Sequence, residues 1–198
     1  MLRLKYGRRF LGDHSSRGSL PGLLWGEGAL IHLRYLNGGW EATDRSGTLS
    51  FFGRTAASRQ EGPLGTFRWM LDAVTDTHHD TITYSYYKNQ SESLGEIYIN
   101  RIDYQSNAIL FFRNGRPDVQ TRYTADFAVA TAYRLGAIDI LSNGTRVRKY
   151  ELGYCEVIPS CPIRKTEGSL LGSMTQYESN GVSRRQPLIS RLEERSFN

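Results

Sequence analysis

Asp76, His78, His79 and Asp80 fall within five consecutive positions of the stretch VTDTHHDTITYSYY, residues 74–87. Imidazole nitrogens and carboxylate oxygens are zinc ligands, and a histidine beside an aspartate is also a general acid/base couple. The same four residues also suit a polar turn ahead of a strand rich in Thr, Ile and Tyr. Adjacent histidines on a strand point to opposite faces, so His78 and His79 reach one ion only where the backbone curls.

No other constellation supplies a mechanism. The sequence has no G-x-S-x-G elbow, no H-E-x-x-H, no G-x-x-x-x-G-K phosphate loop and no glycine-rich dinucleotide fingerprint. Cys155 and Cys161, in CEVIPSC, suit a small disulfide loop or two free thiols, and the spacing does not choose between them. A zinc site there lacks ligands, because neither a C-x-x-C pair nor a nearby histidine completes a set of four. No cofactor is expected.

The elements that must position these residues read as strands. Apolar residues make up 39% of the 198, aromatics 12%, and twelve tyrosines accompany many Thr, Ile and Val, a composition that favours sheet over helix. The length suits one domain with a real core. The net charge of +5 sits at the ends: residues 1–34 carry six basic and two acidic groups, residues 184–198 four and two, and the middle fifteen and sixteen. A neutral middle offers no continuous basic face, so no nucleic-acid partner is expected. No stretch approaches the ~20 apolar residues of a membrane span, and no apolar run follows the basic start as in a signal peptide.

Asn-Gly dipeptides stand at 37, 114, 143 and 180. Between apolar runs they are the strongest short hairpin signal, so turns are predicted at Asn114-Gly115 and Asn143-Gly144 among others. In WEATDRSGTLSFFG an Asp-Arg-Ser-Gly turn joins two strands, with Trp40, Ala42, Leu49 and Phe51 expected on one face. LDAV, INRI, LGAI and LLGSM each hold two large apolar residues three apart, at starts separated by 28, 36 and 36 residues. The first three are followed by return runs, TITYSYY, AILFFRN and RVRKYELGY. The expected architecture is all-β, an antiparallel meander of repeated hairpins, with short helices as the minority reading of the period of three. The domain boundaries follow: an irregular basic lead-in over 1–30, a hairpin domain over 31–178, and a poorly ordered basic tail over 179–198.

The order of these motifs resembles a known family. WMLDAVTDTHHDTITYSY, GEIYINRIDY, FFRNGRPD, AYRLGAIDI, VRKYELGY and GSLLGSMTQY, with WEATDRSGTLSFFG upstream, are similar to segments of the Salmonella virulence plasmid B protein and of the B component of insecticidal toxin complexes. Chains of that family run on into RHS/YD repeats. The resemblance covers roughly residues 30–178 and rests on the order and spacing of motifs rather than on any one of them.

The resemblance implies a non-enzymatic, virulence-related structural segment of a secreted toxin carrier. Such a segment is part of an RHS/YD-like β-sheet shell that encloses a cytotoxic cargo, and this chain is then a fragment or truncated relative. The implied partners are other toxin-complex components or the remaining parts of the same shell. The implied location is cytoplasmic before export and extracellular afterwards. The actin-modifying transferase known in the family needs a Glu-x-Glu pair, which is absent here. In the same light Asp76–Asp80 occupies a junction where the family has Asp-x-x-Gly-Asn, His79 standing for the glycine. It is therefore read as an unusual hairpin turn, with metal binding through Asp76, His78, His79 and Asp80, or carbohydrate or protein binding by the sheet, as the alternatives. Arg116, Pro117 and Asp118 are expected to close a strand, the Arg-Asp pair bracing its corner. The aromatics Tyr84, Tyr86, Tyr104, Phe111, Phe112, Tyr150 and Tyr154 are read as cross-strand pairs rather than as a stacking platform for bases.

Overall fold

Alternating apolar and polar residues, broken by Asn, Gly and Asp, produce strand after strand. The computed structural model describes residues 4–5, 21–26, 29–88, 96–123, 127–155, 169–179 and 181–187, with side chains between 31 and 185. Their contacts group into two compact units, Met1–Gln105 with Arg122–Val129, and Ser106–Thr121 with Ala130–Asn198.

In the first unit the strands are β1 (Leu4–Lys5), β2 (Pro21–Gly26), β3 (Ala29–Leu36), β4 (Gly39–Thr43), β5 (Leu49–Phe52), β6 (Arg59–Gly62), β7 (Gly65–Trp69), β8 (Leu71–Thr75), β9 (Thr81–Lys88) and β10 (Ile97–Tyr104). The main sheet runs β2-β3-β4-β5-β8-β9-β10 with antiparallel neighbours. Between β5 and β8 the chain makes a 3-10 turn, Ala56–Ser58, and leaves for a small sheet ordered β1-β7-β6. Trp69 joins the two: it is buried, stands edge-on to Trp40, and donates its indole N–H to the Gly38 carbonyl at 2.8 Å. Gly53 makes that packing possible, since a Cβ there would lie 2.2 Å from the Trp69 ring. Leu33, Phe52, Met70, Ala73, Ile97 and Val129 are buried as well.

The second unit is a simple meander of β11 (Asn107–Arg122), β12 (Val129–Ser142), β13 (Thr145–Tyr154), β14 (Leu171–Glu178) and β15 (Ser183–Pro187). Asn143 and Gly144 turn β12 into β13 with φ of 50° and 77°, the positive pair that a type I′ turn requires.

In LDAV, INRI and LLGSM the spacing of apolar residues three apart is a repeated β-bulge. Leu71 faces Phe52 and Ala73 faces Phe51, so Asp72 is an extra residue; in β10 the extra residue is Asn100, and in β14 it is Gly172. In an ordinary strand, positions three apart lie on opposite faces. One inserted residue restores them to the same face: Leu71 with Val74, Ile99 with Ile102, Leu171 with Met174. The helical alternative is thereby replaced by a strand irregularity of the same period.

Four expectations change. Asn114-Gly115 does not turn the chain, because β11 runs unbroken through it; the Asn114 side chain lies instead against Gly136, 2.6 Å from where a Cβ would stand. Arg116, Pro117 and Asp118 lie inside β11 and do not end it. Trp40 and Ala42 share their face with Phe52 and Ser50, not with Leu49 and Phe51, since the turn at 44–48 sets Leu49 opposite Thr43. The paired region also extends past 31 and 178, with β2 and the start of β3 on one side and β15 on the other.

Candidate functional site

Asp76 organises the β8–β9 turn. Its Oδ1 accepts the backbone N–H of His78 at 2.8 Å and that of Asp80 at 3.0 Å. Its own N–H donates to the Asp80 carbonyl, and the N–H of His79 donates to the Asp76 carbonyl. The result is a type I turn followed by a residue in the left-handed region, His79 at φ 69°. Asp44 builds the same frame in the β4–β5 turn, where Gly47 takes that position at φ 87° and Ser46 and Thr48 supply the donors to Asp44. Those donors, the Ser46 hydroxyl first, hold the Asp44 carboxyl below its usual range.

The four sequence candidates thus share a turn without converging on a ligand. His78 Nδ1 is 3.9 Å from Asp76 Oδ2, the His79 side chain is exposed, and Asp80 accepts from Gln105 at 3.3 Å. Among the described residues no group of three or more His, Cys, Asp or Glu is placed to hold a metal ion. Asp76 spends its acceptor oxygen on the backbone, and two exposed imidazoles on a turn lack the closed tetrahedral set that zinc needs.

The ends of two ladders carry a second kind of polar residue. Where the β8–β9 ladder ends at Ala73, the Tyr86 hydroxyl donates to the Leu71 carbonyl at 2.6 Å. The β12–β13 ladder ends at Ala137 in the same way, and the Tyr154 hydroxyl donates to the Leu135 carbonyl at 2.7 Å. Where a ladder stops, backbone groups lose their strand partners, and each tyrosine takes up one carbonyl there. Burial, then the charge of Asp72, then Tyr84, push the Tyr86 hydroxyl far above its ordinary pKa, so it stays a donor. Asp72, itself buried, accepts the backbone N–H of Arg54.

Asp118 forms the third cluster. Arg116 grips it with two bonds, Nε to Oδ1 at 2.9 Å and Nη2 to Oδ2 at 2.7 Å, and Ser169 donates to both oxygens, through its backbone N–H and its hydroxyl. Arg134 donates to the Ser169 hydroxyl oxygen at 2.9 Å and lays its guanidinium over the Tyr154 ring at 3.9 Å. The Arg116 bonds, followed by the Ser169 hydroxyl, hold the Asp118 carboxyl far below the usual range. A general base works best near the operating pH, and a carboxylate so strongly stabilised as an anion makes a poor proton acceptor for the serine it touches. The cluster ties the segment leading into β14 to β11 across 51 residues of sequence. The Arg-Asp pair was expected from FFRNGRPD. Ser169 and Arg134 were missed: no local pattern marks Ser169, and Arg134 left only the weak signal of a charge inside the apolar run AYRLGAI. Cys155 beside this cluster is disulfide-bonded, and Cys161 lies outside the described residues.

No protein-family profile matches the chain, and no curated protein matches it. Solved structures do. The N-terminal domain of the effector protein SpvB from Salmonella typhimurium strain LT2 aligns with a TM-score of 0.61 at 13% identity, over 89% of this chain and 78% of that one. The chain has the SpvB N-terminal fold. The TcdB2-TccC3 structure aligns with a TM-score of 0.64 at 14% identity, and the Photorhabdus luminescens Tc holotoxin pore with 0.62 at 13%. They match 83% and 86% of this chain, which spans only 11% and 12% of theirs. In this chain Trp69 packs edge-on against Trp40, and Arg116 pairs with Asp118 inside β11. Among the described residues no helix is long and apolar enough to cross a membrane.

Proposed function

We propose that the chain is a non-catalytic structural module of an exported bacterial toxin carrier, one segment of an RHS/YD-like β-sheet shell whose partners are other toxin-complex components or the rest of the same shell. The observation that carries this reading is the SpvB-type and Tc-type fold, which extends over more than four-fifths of the chain. The roles of the polar residues support it. Asp44, Asp72, Asp76, Tyr86, Asp118 and Tyr154 each bind backbone at a turn, a bulge or a strand crossing. Chemistry devoted to holding strands in register is what a shell needs, since an array of hairpins is stable when each unit is paired or covered.

Assembly provides the test. Co-expressed with the polypeptides encoded beside it, the chain is expected to purify in one particle with them and to shield an enclosed polypeptide from protease. A chain that stays monomeric beside those partners and shields nothing would overturn the proposal. So would turnover of a substrate that His79→Ala or Asp76→Ala abolishes.

A further inference from the structure

The last three strands build a concavity that the carrier reading leaves unused. In register, Glu151 of β13 faces Thr175 of β14, which faces Arg185 of β15; one step along, Gly153 faces Ser173, and one step back, Tyr177 faces Ser183. Residues opposite each other in antiparallel strands share a face, so these side chains all project from the same side of the sheet. They line an open trough of about 430 Å3. Its floor is low because Gly153 contributes no side chain and Ser173 and Thr175 contribute short ones.

The polar groups in the trough are complementary rather than alike. Glu151 accepts the Tyr177 hydroxyl at 2.9 Å and pairs with Lys149 at 2.6 Å. Lys149, and then Tyr177, hold the Glu151 carboxyl below its usual range, which keeps it an acceptor. Across the trough Arg185, a pure donor, lies largely in solvent with a 3.5 Å contact to the Ser173 hydroxyl. An acceptor-only group and a donor-only group on either side of a hydroxyl-lined floor match a ligand whose neighbouring hydroxyls both donate and accept. Tyr177 adds an aromatic ring at the edge, an apolar surface for the C–H face of a sugar ring. The volume lies in the range of small-ligand sites, about 300–1,000 Å3.

We propose that this trough binds a neutral pyranose unit of a glycan, with Glu151 accepting from and Arg185 donating to adjacent hydroxyls and Tyr177 flanking the ring. Binding here is independent of the carrier reading, since a shell segment that binds no sugar and a sugar-binding domain that joins no shell are both physically sound.

The test is a printed glycan array probed with the 198-residue chain, followed by titration with the methyl glycoside of the terminal sugar of the best ligand. The expected result is retention of uncharged glycans, weak for a single sugar. Glu151→Gln and Arg185→Gln are each expected to raise the dissociation constant about tenfold or more, the loss of a hydrogen bond to a charged group. Arg185 is exposed on an edge strand, so its variant is expected to keep the wild-type melting temperature and to remain informative if Glu151→Gln fails to fold. Three outcomes overturn the proposal: no uncharged glycan retained, only acidic glycans retained, or an affinity that Arg185→Gln leaves unchanged.

Discussion

The β8–β9 and β12–β13 pairs solve the same problem with different side chains. Both end their ladder at an alanine, Ala73 or Ala137, and in both a tyrosine of the return strand bonds the carbonyl of a leucine just upstream. They differ at the residue between. Asp72 fills its position with its own carboxylate, which captures the Arg54 N–H, whereas Gly136 is empty and receives the Asn114 amide from β11. The Leu-x-Ala segment therefore specifies a place for a polar group but not which strand supplies it. That distinction also explains why Asn114 looks like a turn residue and is not one.

Substitutions at these positions test the comparison directly. The largest effect is expected from Gly136→Ala, whose Cβ would stand 2.6 Å from the Asn114 side chain. Overpacking of this kind costs about 1–3 kcal/mol, read as a lower urea midpoint. Adding Asn114→Ala is expected to return most of the loss, and a double variant no better than the single one would show that the amide is not what fills the site. Asp72→Ala leaves the buried side of the Arg54 N–H without its acceptor and is expected to cost about 1–3 kcal/mol, with no rescue from any change at Asn114.

Removal of one hydroxyl at a time gauges how alike the two pairs are. Tyr86→Phe and Tyr154→Phe are each expected to cost about 0.5–1.5 kcal/mol in chemical denaturation. Tyr154 also lies under the Arg134 guanidinium, but phenylalanine keeps a ring there, so near-equal losses are the expected outcome. A much larger loss at one of them would break the equivalence.

Asp118 gives the second unit a pH dependence. Its folded pKa is depressed by Arg116 and Ser169, so its contribution is fully present above the unfolded value of about 3.9 and is lost as pH falls through the folded value. Asp118→Asn is expected to destabilise the protein at pH 7, and the gap between variant and wild type should narrow as pH drops below about 4. A gap that stays constant down to pH 2 would remove the clamp as its source. The smallest change is expected in the first unit: His79→Gly relieves a left-handed residue and adds chain entropy, for a net gain of up to about 1 kcal/mol in thermal denaturation. Gly47, in the matching turn, has no such latitude, because a Cβ there would lie 3.0 Å from the Thr77 methyl.

Local chemistry made much of the fold legible. The turns at 37–38, 44–48, 76–80 and 143–144 follow from residues that tolerate positive φ or from an aspartate that bonds its own turn, and both effects act within five residues. The spacing of LDAV, INRI and LLGSM likewise wrote the bulges into the sequence, although a period of three has more than one structural meaning until the partner strand is known. Face assignments in the β4–β5 hairpin failed because one residue of turn length inverts every side chain beyond it.

By itself, then, the sequence determined the strands, most of their turns and the order of motifs that resembles the toxin carriers, because these depend on neighbours along the chain. Only the tertiary structure decided that Asp118 holds Ser169, that Asn114 fills the space of Gly136, and that Glu151, Thr175 and Arg185 line one trough. Those juxtapositions arise from strand register, and register is set by pairing between segments that no local pattern links.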